Sequence, residues 1–428
     1  MTRPGSPDSP RPALMPLDDA LTQLLAFAVP LADIESVSTF EADGRVLAQD
    51  LVSALQVPPH DNSSMDGYAV RCADVAQALQ STQPEAGTLP VSQRIAAGSS
   101  GVPLAPMTVT RIFTGAPIPF GADAVVMQED CEVLPGADGP GSNAVRIKSV
   151  PAPDQWIRRA GEDVTQGAVV LSKGERLTPA ALGLAASIGM NVLQVARRPR
   201  VALFSTGDEL VMPGDVAPEQ MKPGAIYNSN RFFLRALLLR LGCEVTDLGI
   251  VPDRLDATIA ALQAAAQHHD LILTSGGVSV GEEDHIKPAV QSLGRLDLWQ
   301  IAIKPGKPFA YGRMHNAHFI GLPGNPVSSF VTFLLLVRPF LLKLQGVTQV
   351  ATKSIAVQAH FTWARADKRR EFLRVRRNAA GGLDLFSNQS SGVLTSAVWG
   401  DGLVDNPPGQ TIRHGDVVRF IPFSELLG

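Results

Sequence analysis

Cysteine is scarce in this chain: three in 428 residues, Cys72, Cys131 and Cys243, far apart and with no CxxC pair. That argues against a zinc ribbon or a disulfide framework and for a reducing compartment. Charge is thin too, at 18% of residues, and 37 basic against 41 acidic side chains leave a net −4. No global basic field draws the chain to nucleic acid or to an anionic membrane. Long apolar runs are missing; the longest, around 330–337, falls far short of the ~20 residues that span a bilayer. Where a secretory signal would need a basic end and an apolar run, the N-terminus carries Asp8, Asp18, Asp19 and several prolines. A soluble, cytoplasmic protein is expected.

What the chain does have is length and apolar residues (45%), enough for two to four domains. Residues 1–16, with five prolines, read as a disordered tail. The spacing Leu17, Leu21, Leu24, Leu25, Ala28 predicts an amphipathic helix stopped at Pro30. Residues ~75–150 are β-rich, short alternating runs cut by Gly, Pro and Asn. From Arg200 strands alternate with helices: Val201–Phe204, a helix capped by Asn228 or Ser229 and running to Leu241, Val245–Val251, a helix from Leu255, then Leu271–Thr274. That order implies a parallel, doubly wound sheet. Pro339 is expected to kink or end the helix that begins near Val327. Beyond Gly346 the texture is β again, with a basic patch from Lys368 to Arg377.

The centre of the chain is LILTSGGVSVGEEDHIK, residues 271–287. A buried strand ends at Ser275-Gly276-Gly277, where two glycines let backbone N–H groups approach a ligand. Ser275 and Ser279 add hydroxyls, and Glu282, Glu283 and Asp284 add carboxylates, a combination suited to a phosphate that arrives with a divalent cation. In open α/β sheets ligands sit beyond the carboxyl ends of the strands. The loops leaving those ends are Ser205-Thr206-Gly207-Asp208-Glu209, Ile250–Asp253, Thr274–Gly277 and Gly321–Ser328, the last carrying Asn325. They put Asp208, Glu209, Asp253 and Asp284 within reach of one rim. Lys304-Pro305-Gly306-Lys307-Pro308 holds two ammonium groups stiffly beside these acids, so the pocket reads as cationic on one wall and metal-binding on the other. Earlier in the chain, Asp61 and Asp66 flank a polar cluster, and Thr114 and Asp163 sit in turns whose ordinary role is local hydrogen bonding.

Eight segments together carry a family resemblance: DNSSMDGYAV (61–70), RIFTGAPIPFGADAVVMQE (111–129), RRAGEDV (158–164), STGDEL (205–210), SGGVSVGEED (275–284), IKPGKPFA (303–310), GLPGNPVSSF (321–330) and NQSSGVL (388–394). With these in order from about Leu17 onward, the chain resembles the molybdopterin molybdenumtransferases, the MoeA family that includes the C-terminal domain of gephyrin. The resemblance implies a multidomain α/β plus β protein. Its parts would be a linker domain (17–56 and 150–198), an inserted β-rich domain (57–149), a molybdopterin-binding doubly wound α/β domain (199–345) and a C-terminal β-barrel (346–428). It implies a homodimer with the site between subunits, insertion of molybdenum from molybdate into adenylylated molybdopterin, and Mg²⁺-assisted release of AMP. Other cofactor-biosynthesis enzymes are further expected partners.

By the same resemblance Asp66, Thr114, Asp163, Glu209, Asp253 and Asp284 carry catalytic roles, with Asp253 and Asp284 on the metal. Lys304, Lys307, Pro308, Arg374 and Ser391 match molybdate-binding positions. Ser205, Thr206, Gly207, Asp208, Ser275, Gly276, Gly277, Ser279, Asn325 and Ser328 are assigned to the substrate cofactor. Two positions depart from the family: Gln300 stands where many relatives have lysine, and His285 where tyrosine is frequent. A binding scaffold that kept the fold without turnover, and the adenylyltransferase that shares the α/β domain, are the competing readings. The retained acids and lysines favour an enzyme over the first. The 200 residues before Val201 argue against the second.

Overall fold

The computed structural model describes residues 14–81, 86–135, 143–278 and 285–427. Its largest unit is built on a six-stranded sheet. The strands are β1 (Arg200–Thr206), β2 (Glu244–Val251), β3 (Leu271–Ser275), β4 (Arg295–Gln300), β6 (Pro308–Met314) and β7 (Ala317–Leu322), with the two-residue β5 (Ile303–Lys304) leaving the sheet for another. The spatial order is β2-β1-β3-β7-β6-β4. Four of these, β2 to β7, are parallel, but β6 runs antiparallel to both β7 and β4. The expected all-parallel sheet therefore carries an antiparallel edge. The tight turn between Met314 and Ala317 makes this possible, since a parallel return needs a crossover.

Helices cover both faces because the strand residues alternate between two cores. Val201 and Leu203 pack with α1 (Asn230–Arg240) and α4 (Pro326–Leu344); Ala202 and Phe204 pack with α2 (Leu255–His268) and α3 (Ile286–Leu293). The Asn228 side chain caps α1 through the Arg231 amide at 3.3 Å. Helix α4 passes through Pro339 and continues to Leu344, where a break was expected. Its middle turn, Phe333–Val337, is π-wound, and the wider turn absorbs the lost donor and the ring just ahead of the proline. By length and composition α4 is apolar enough to cross a membrane, but 83% of it is buried inside the protein. The helix Leu17–Phe27 forms as predicted. It packs its Leu17, Ala20 and Leu24 against this α/β core, away from the linker residues that follow it.

Those linker residues form a small separate core, with Leu47, Leu51, Val164, Leu171, Ala181 and Leu193 under the paired strands Ile34–Ser38 and Val192–Ala196. Arg197 ties it to the α/β unit through Asp33 on one side and a two-pronged pair with Asp270 on the other, at 2.8–3.0 Å. The β-rich segment makes a six-stranded sheet of its own, from Gly67–Val70 to Asn143–Ile147. Near the C-terminus β5 joins β8 (Arg370–Arg377), followed across the sheet by Gly402–Asn406, Val417–Pro422 and Ile355–Gln358. A bridge between Ala359 and Leu383, with the His360 amide on the Leu383 carbonyl at 2.9 Å, curls this sheet closed into a barrel.

Candidate functional site

Three loops meet beyond the carboxyl ends of β1, β3 and β7. The Gly276 amide donates to the Leu322 carbonyl at 3.0 Å, and the Asn230 amide group to the Gly324 carbonyl at 2.7 Å, so 274–278 and 321–325 are held side by side. Gly276 and Gly277 have φ of 93° and 67°, a region that only glycine enters cheaply. A Cβ on Gly277 would lie 2.5 Å from Ile286 Cγ1 and 3.1 Å from Thr206 Oγ1, so the turn is closed to side chains. Ser205 and Ser275, expected as outward donors, are instead buried and face each other, hydroxyl to hydroxyl, at 3.5 Å. Thr206 is buried beside them, and Gly207 folds the chain so that Glu209 turns back toward it.

Asp208 and Glu209 are exposed and line a cavity of about 590 Å³ whose other wall is Val216, Gln220, Lys222 and Pro223. Asp253 is half-buried just past β2, on the neighbouring strand. Ser279 and Asp284 lie outside the described residues. Among the described residues no group of three or more His, Cys, Asp or Glu is close enough to hold a metal. Asp208, Glu209 and Asp253 alone do not assemble the expected rim. Asn228, read from sequence only as a helix cap, is 2% exposed and its amide nitrogen has no acceptor. Its signal was the polar Tyr-Asn-Ser-Asn stretch before α1.

A second cluster lies where the α/β unit meets the barrel. Pairing of β5 with β8 sets Lys304 opposite Glu371, and the Val327 amide, at the start of α4, donates to the Ser391 carbonyl at 2.9 Å. Gly306 lets the Lys304–Pro308 loop lie against α4, because a Cβ there would sit 2.4 Å from Thr332 Oγ1. Ser328 is buried and Asn325 exposed at the same helix start. Lys304, Lys307, Pro308, Asn325, Ser328 and Ser391 are thus brought to one junction.

Arg374 is there too, and it is 1% exposed. Its guanidinium donates to Ser396 Oγ (3.1 Å), the Phe372 carbonyl (3.1 Å) and the Ser390 carbonyl (3.3 Å), with no carboxylate among these partners. Burial without a counter-charge pushes its pKa down to about 10. Further along the same basic patch lie Arg376 and Arg377, which are exposed. Lys304 differs from expectation: its ammonium is held by Glu371 at 3.0 Å and Asp367 at 3.4 Å. Gln300 stands in register with Pro308, and the Ile301 amide donates to the Lys307 carbonyl at 2.8 Å. A lysine at 300 would join this cluster. His285 sits at the N-terminus of α3 without capping it.

Asp66, Thr114 and Asp163 are not brought to either cluster through any shared sheet. Asp66 Oδ1 accepts from both the amide (2.8 Å) and the hydroxyl (2.7 Å) of Thr114. The amide first, then the hydroxyl, hold the Asp66 carboxyl below the usual range. Thr114 is exposed and Asp66 half-buried, beside the paired ends of two inner strands of the β-rich sheet, Gly67–Val70 and Val109–Ile112, and Asp163 is exposed where the chain returns to the linker unit.

Comparison with known proteins covers nearly all of the chain. The profile of the MoeA N-terminal region (domain I and II) matches residues 15–189. That of a probable molybdopterin binding domain matches 202–343, and that of the MoeA C-terminal region (domain IV) matches 356–423. Over 426 residues the chain is 39% identical to the molybdopterin molybdenumtransferase of Haemophilus influenzae, covering 97% of this chain and 100% of that one. It is 37% identical over 382 residues to molybdopterin molybdenumtransferase 2 of Mycobacterium tuberculosis, covering 87% and 90%. A crystal structure of the molybdopterin biosynthesis MoeA protein of Pyrococcus horikoshii matches with a TM-score of 0.82 at 29% identity, over 96% of this chain and 100% of that one. The chain therefore belongs to the MoeA family of molybdopterin molybdenumtransferases, transferases of molybdenum cofactor biosynthesis.

Proposed function

We propose that this transferase takes adenylylated molybdopterin and molybdate, places molybdenum at the pterin dithiolene, and releases AMP with Mg²⁺. The observation that carries this reading is Arg374. A guanidinium buried to 1% exposure with only neutral acceptors around it is an unbalanced charge, and an oxyanion is what balances it. Lys307 and Pro308 on one side and Ser391 on the other frame the same junction, and Lys307 makes no ion pair among the described residues.

The pterin and its phosphates fit the loop cluster. Gly276 and Gly277 present backbone without side chains, and the buried amide nitrogen of Asn228 and hydroxyl of Thr274 have no partner among the described residues. Asp208, Glu209 and Asp253 offer hard carboxylate oxygens of the kind Mg²⁺ takes, and Asp253 and Asp284 are the residues proposed to hold it. Bound there, Mg²⁺ would neutralise charge on the phosphoanhydride oxygens.

A homodimer completes the site. Phe40 is 93% exposed beside a groove of about 610 Å³ lined by Leu182, Gly183, Ala186 and Met190. Projection and groove share one face, as a two-fold axis requires of a self-complementary surface. The second copy would bring Asp66, Thr114 and Asp163 to the loops of the first. The subunit would work in the cytoplasm, without nucleic acid or membrane, and receive its substrate from other cofactor-biosynthesis enzymes. The test is AMP release from adenylylated molybdopterin with molybdate and Mg²⁺, followed in mixtures of Asp66→Ala and Asp284→Ala chains. Hybrid dimers should recover part of the activity that each variant lacks. No recovery after confirmed subunit exchange would refute the shared site, and no AMP release by the native protein would refute the reaction.

A further inference from the structure

Glu371, the second residue of β8, is 1% exposed. Its Oε1 accepts from Lys304 Nζ at 3.0 Å, and its Oε2 from Trp363 Nε1 at 2.8 Å and Asn406 Nδ2 at 3.3 Å. Lys304 Nζ also lies 3.4 Å from Asp367 Oδ2 and 5.8 Å from the centre of the Trp363 ring. Asp367 in turn is gripped by Arg369, whose Nε and Nη2 reach its two oxygens at 3.0 and 2.8 Å. The ammonium matched to oxyanion binding therefore already faces two carboxylates and an aromatic ring. Three residues further along β8, and on the other face of the strand, Arg374 has no carboxylate among its partners in the described residues. Lys304 at the end of β5, Lys307 on the loop after it, and Arg374 on β8 are the cations that the junction offers to an anion, and Glu371 and Asp367 stand against the first of them.

We propose that Glu371 is a positioning residue that pins the Lys304 ammonium and cancels part of its charge. The anion's grip then falls to Arg374 and Lys307. The inference rests on the reading of this junction as the oxyanion site and adds a residue to it. Its physical content is a sign. A carboxylate with a purely structural role would, once removed, loosen the junction and weaken anion binding. A carboxylate that sets the charge would, once removed, strengthen it, because Lys304 would then act on the anion uncompensated. Anion affinity is kept moderate, so that molybdate is held without being trapped.

Calorimetric titration of the full-length protein with sodium molybdate, in the absence of pterin, reads this directly. Glu371→Gln keeps the size of the side chain and an acceptor for Lys304 while removing its charge; the Kd should fall about tenfold, the effect of one unit charge a few ångströms from a dianion in a partly solvated site. The affinity should also depend more steeply on chloride concentration. Asp367→Asn, at the more exposed carboxylate, should lower the Kd by about two- to threefold, since Arg369 and solvent already screen it. Unchanged or weaker binding in both variants, with the melting temperature retained, overturns the proposal. If Glu371→Gln does not fold, Asp367→Asn decides: tighter binding supports the proposal, and unchanged or weaker binding overturns it. Lys307→Ala separates the two levels. If it weakens molybdate binding while neither carboxylate variant tightens it, the oxyanion site stands and the role of Glu371 falls. If the native protein binds no molybdate, or Lys307→Ala leaves binding unchanged, the oxyanion site falls and the inference with it.

Discussion

His318 gives the α/β core a built-in sensitivity to acid. It lies on β7, 7% exposed, with its ring nitrogen 2.9 Å from the Tyr311 hydroxyl and its ring edge-on to Phe340 at 5.0 Å. Burial, with the Arg313 charge adding to it, pushes the pKa down to about 4. In the unfolded chain the same imidazole titrates near 6.5. The folded state thus binds this proton less readily than the unfolded state, and stability falls as pH falls through the window from about 6.5 to 4. Above it the imidazole is neutral in both states and costs nothing. Below it the whole penalty is present, on the order of 3 kcal/mol for a displacement of about 2.5 pH units. At pH 5 the loss relative to pH 7.5 is roughly 2 kcal/mol. Replacing the ring alone would strand the Tyr311 hydroxyl, so the informative variant is the pair Tyr311→Phe, His318→Leu. Urea unfolding at pH 7.5 and pH 5, followed by the fluorescence of Trp299 next to Tyr311 in a background where Trp156, Trp363 and Trp399 are phenylalanine, reads the α/β unit. The native protein should lose about 2 kcal/mol more than the pair variant on acidification. Other groups titrate equally in both, so the difference isolates the histidine. Curves that fall in parallel would refute it.

Three further outcomes follow from the geometry. Gly277→Ala should lower stability by about 1–3 kcal/mol and reduce pterin binding, since the new methyl meets Ile286 at 2.5 Å and φ is 67°; an unchanged melting temperature would count against the closed turn. Asp66→Asn keeps an acceptor for both Thr114 bonds and removes only the charge, so turnover should drop about tenfold or more with the melting temperature held; full activity would place Asp66 outside the chemistry. Lys307→Ala should raise the molybdate concentration for half-maximal turnover about tenfold, and Gln300→Lys, opposite Pro308, should lower it; a shift in pterin dependence alone would remove this loop from the oxyanion site.

What could be read from sequence was whatever a few neighbouring residues decide. Val201–Phe204 and Leu271–Thr274 announce buried strands because each is apolar on both faces, and Gly276-Gly277 announces a turn because two glycines take successive positive φ values without a Cβ penalty. The helix Leu17–Phe27 was legible in its stripe, but not in its partner, since an apolar face fits any core of matching shape. Pro339 misled for a similar reason: the local rule counts a lost donor, while the surrounding core of α4 is enough to hold the helix through a widened turn.

The hardest feature to read was the charge state of the junction. A lysine just before a proline, Lys304, looks free to meet an anion, and local sequence offers nothing to contradict that. Its principal partner, Glu371, lies 67 residues away, and pairing of β5 with β8 is what brings the two together. Arg374 carries the opposite lesson. A strand of alternating arginines looks like a solvated edge, yet Arg376 and Arg377 at its end are exposed while Arg374, on the same face as Arg376, is buried under the segment that carries Ser390 and Ser396. Of two cations matched to the same anion, Lys304 is largely neutralised, and Arg374 has only neutral partners among the described residues. Both features come from contacts with segments distant in the chain, which composition and spacing do not carry. The proposed oxyanion site is accordingly a property of the assembled junction more than of the Lys-Pro-Gly-Lys-Pro motif. A change that separates the barrel from the α/β sheet should therefore abolish anion binding even with every one of those five residues intact.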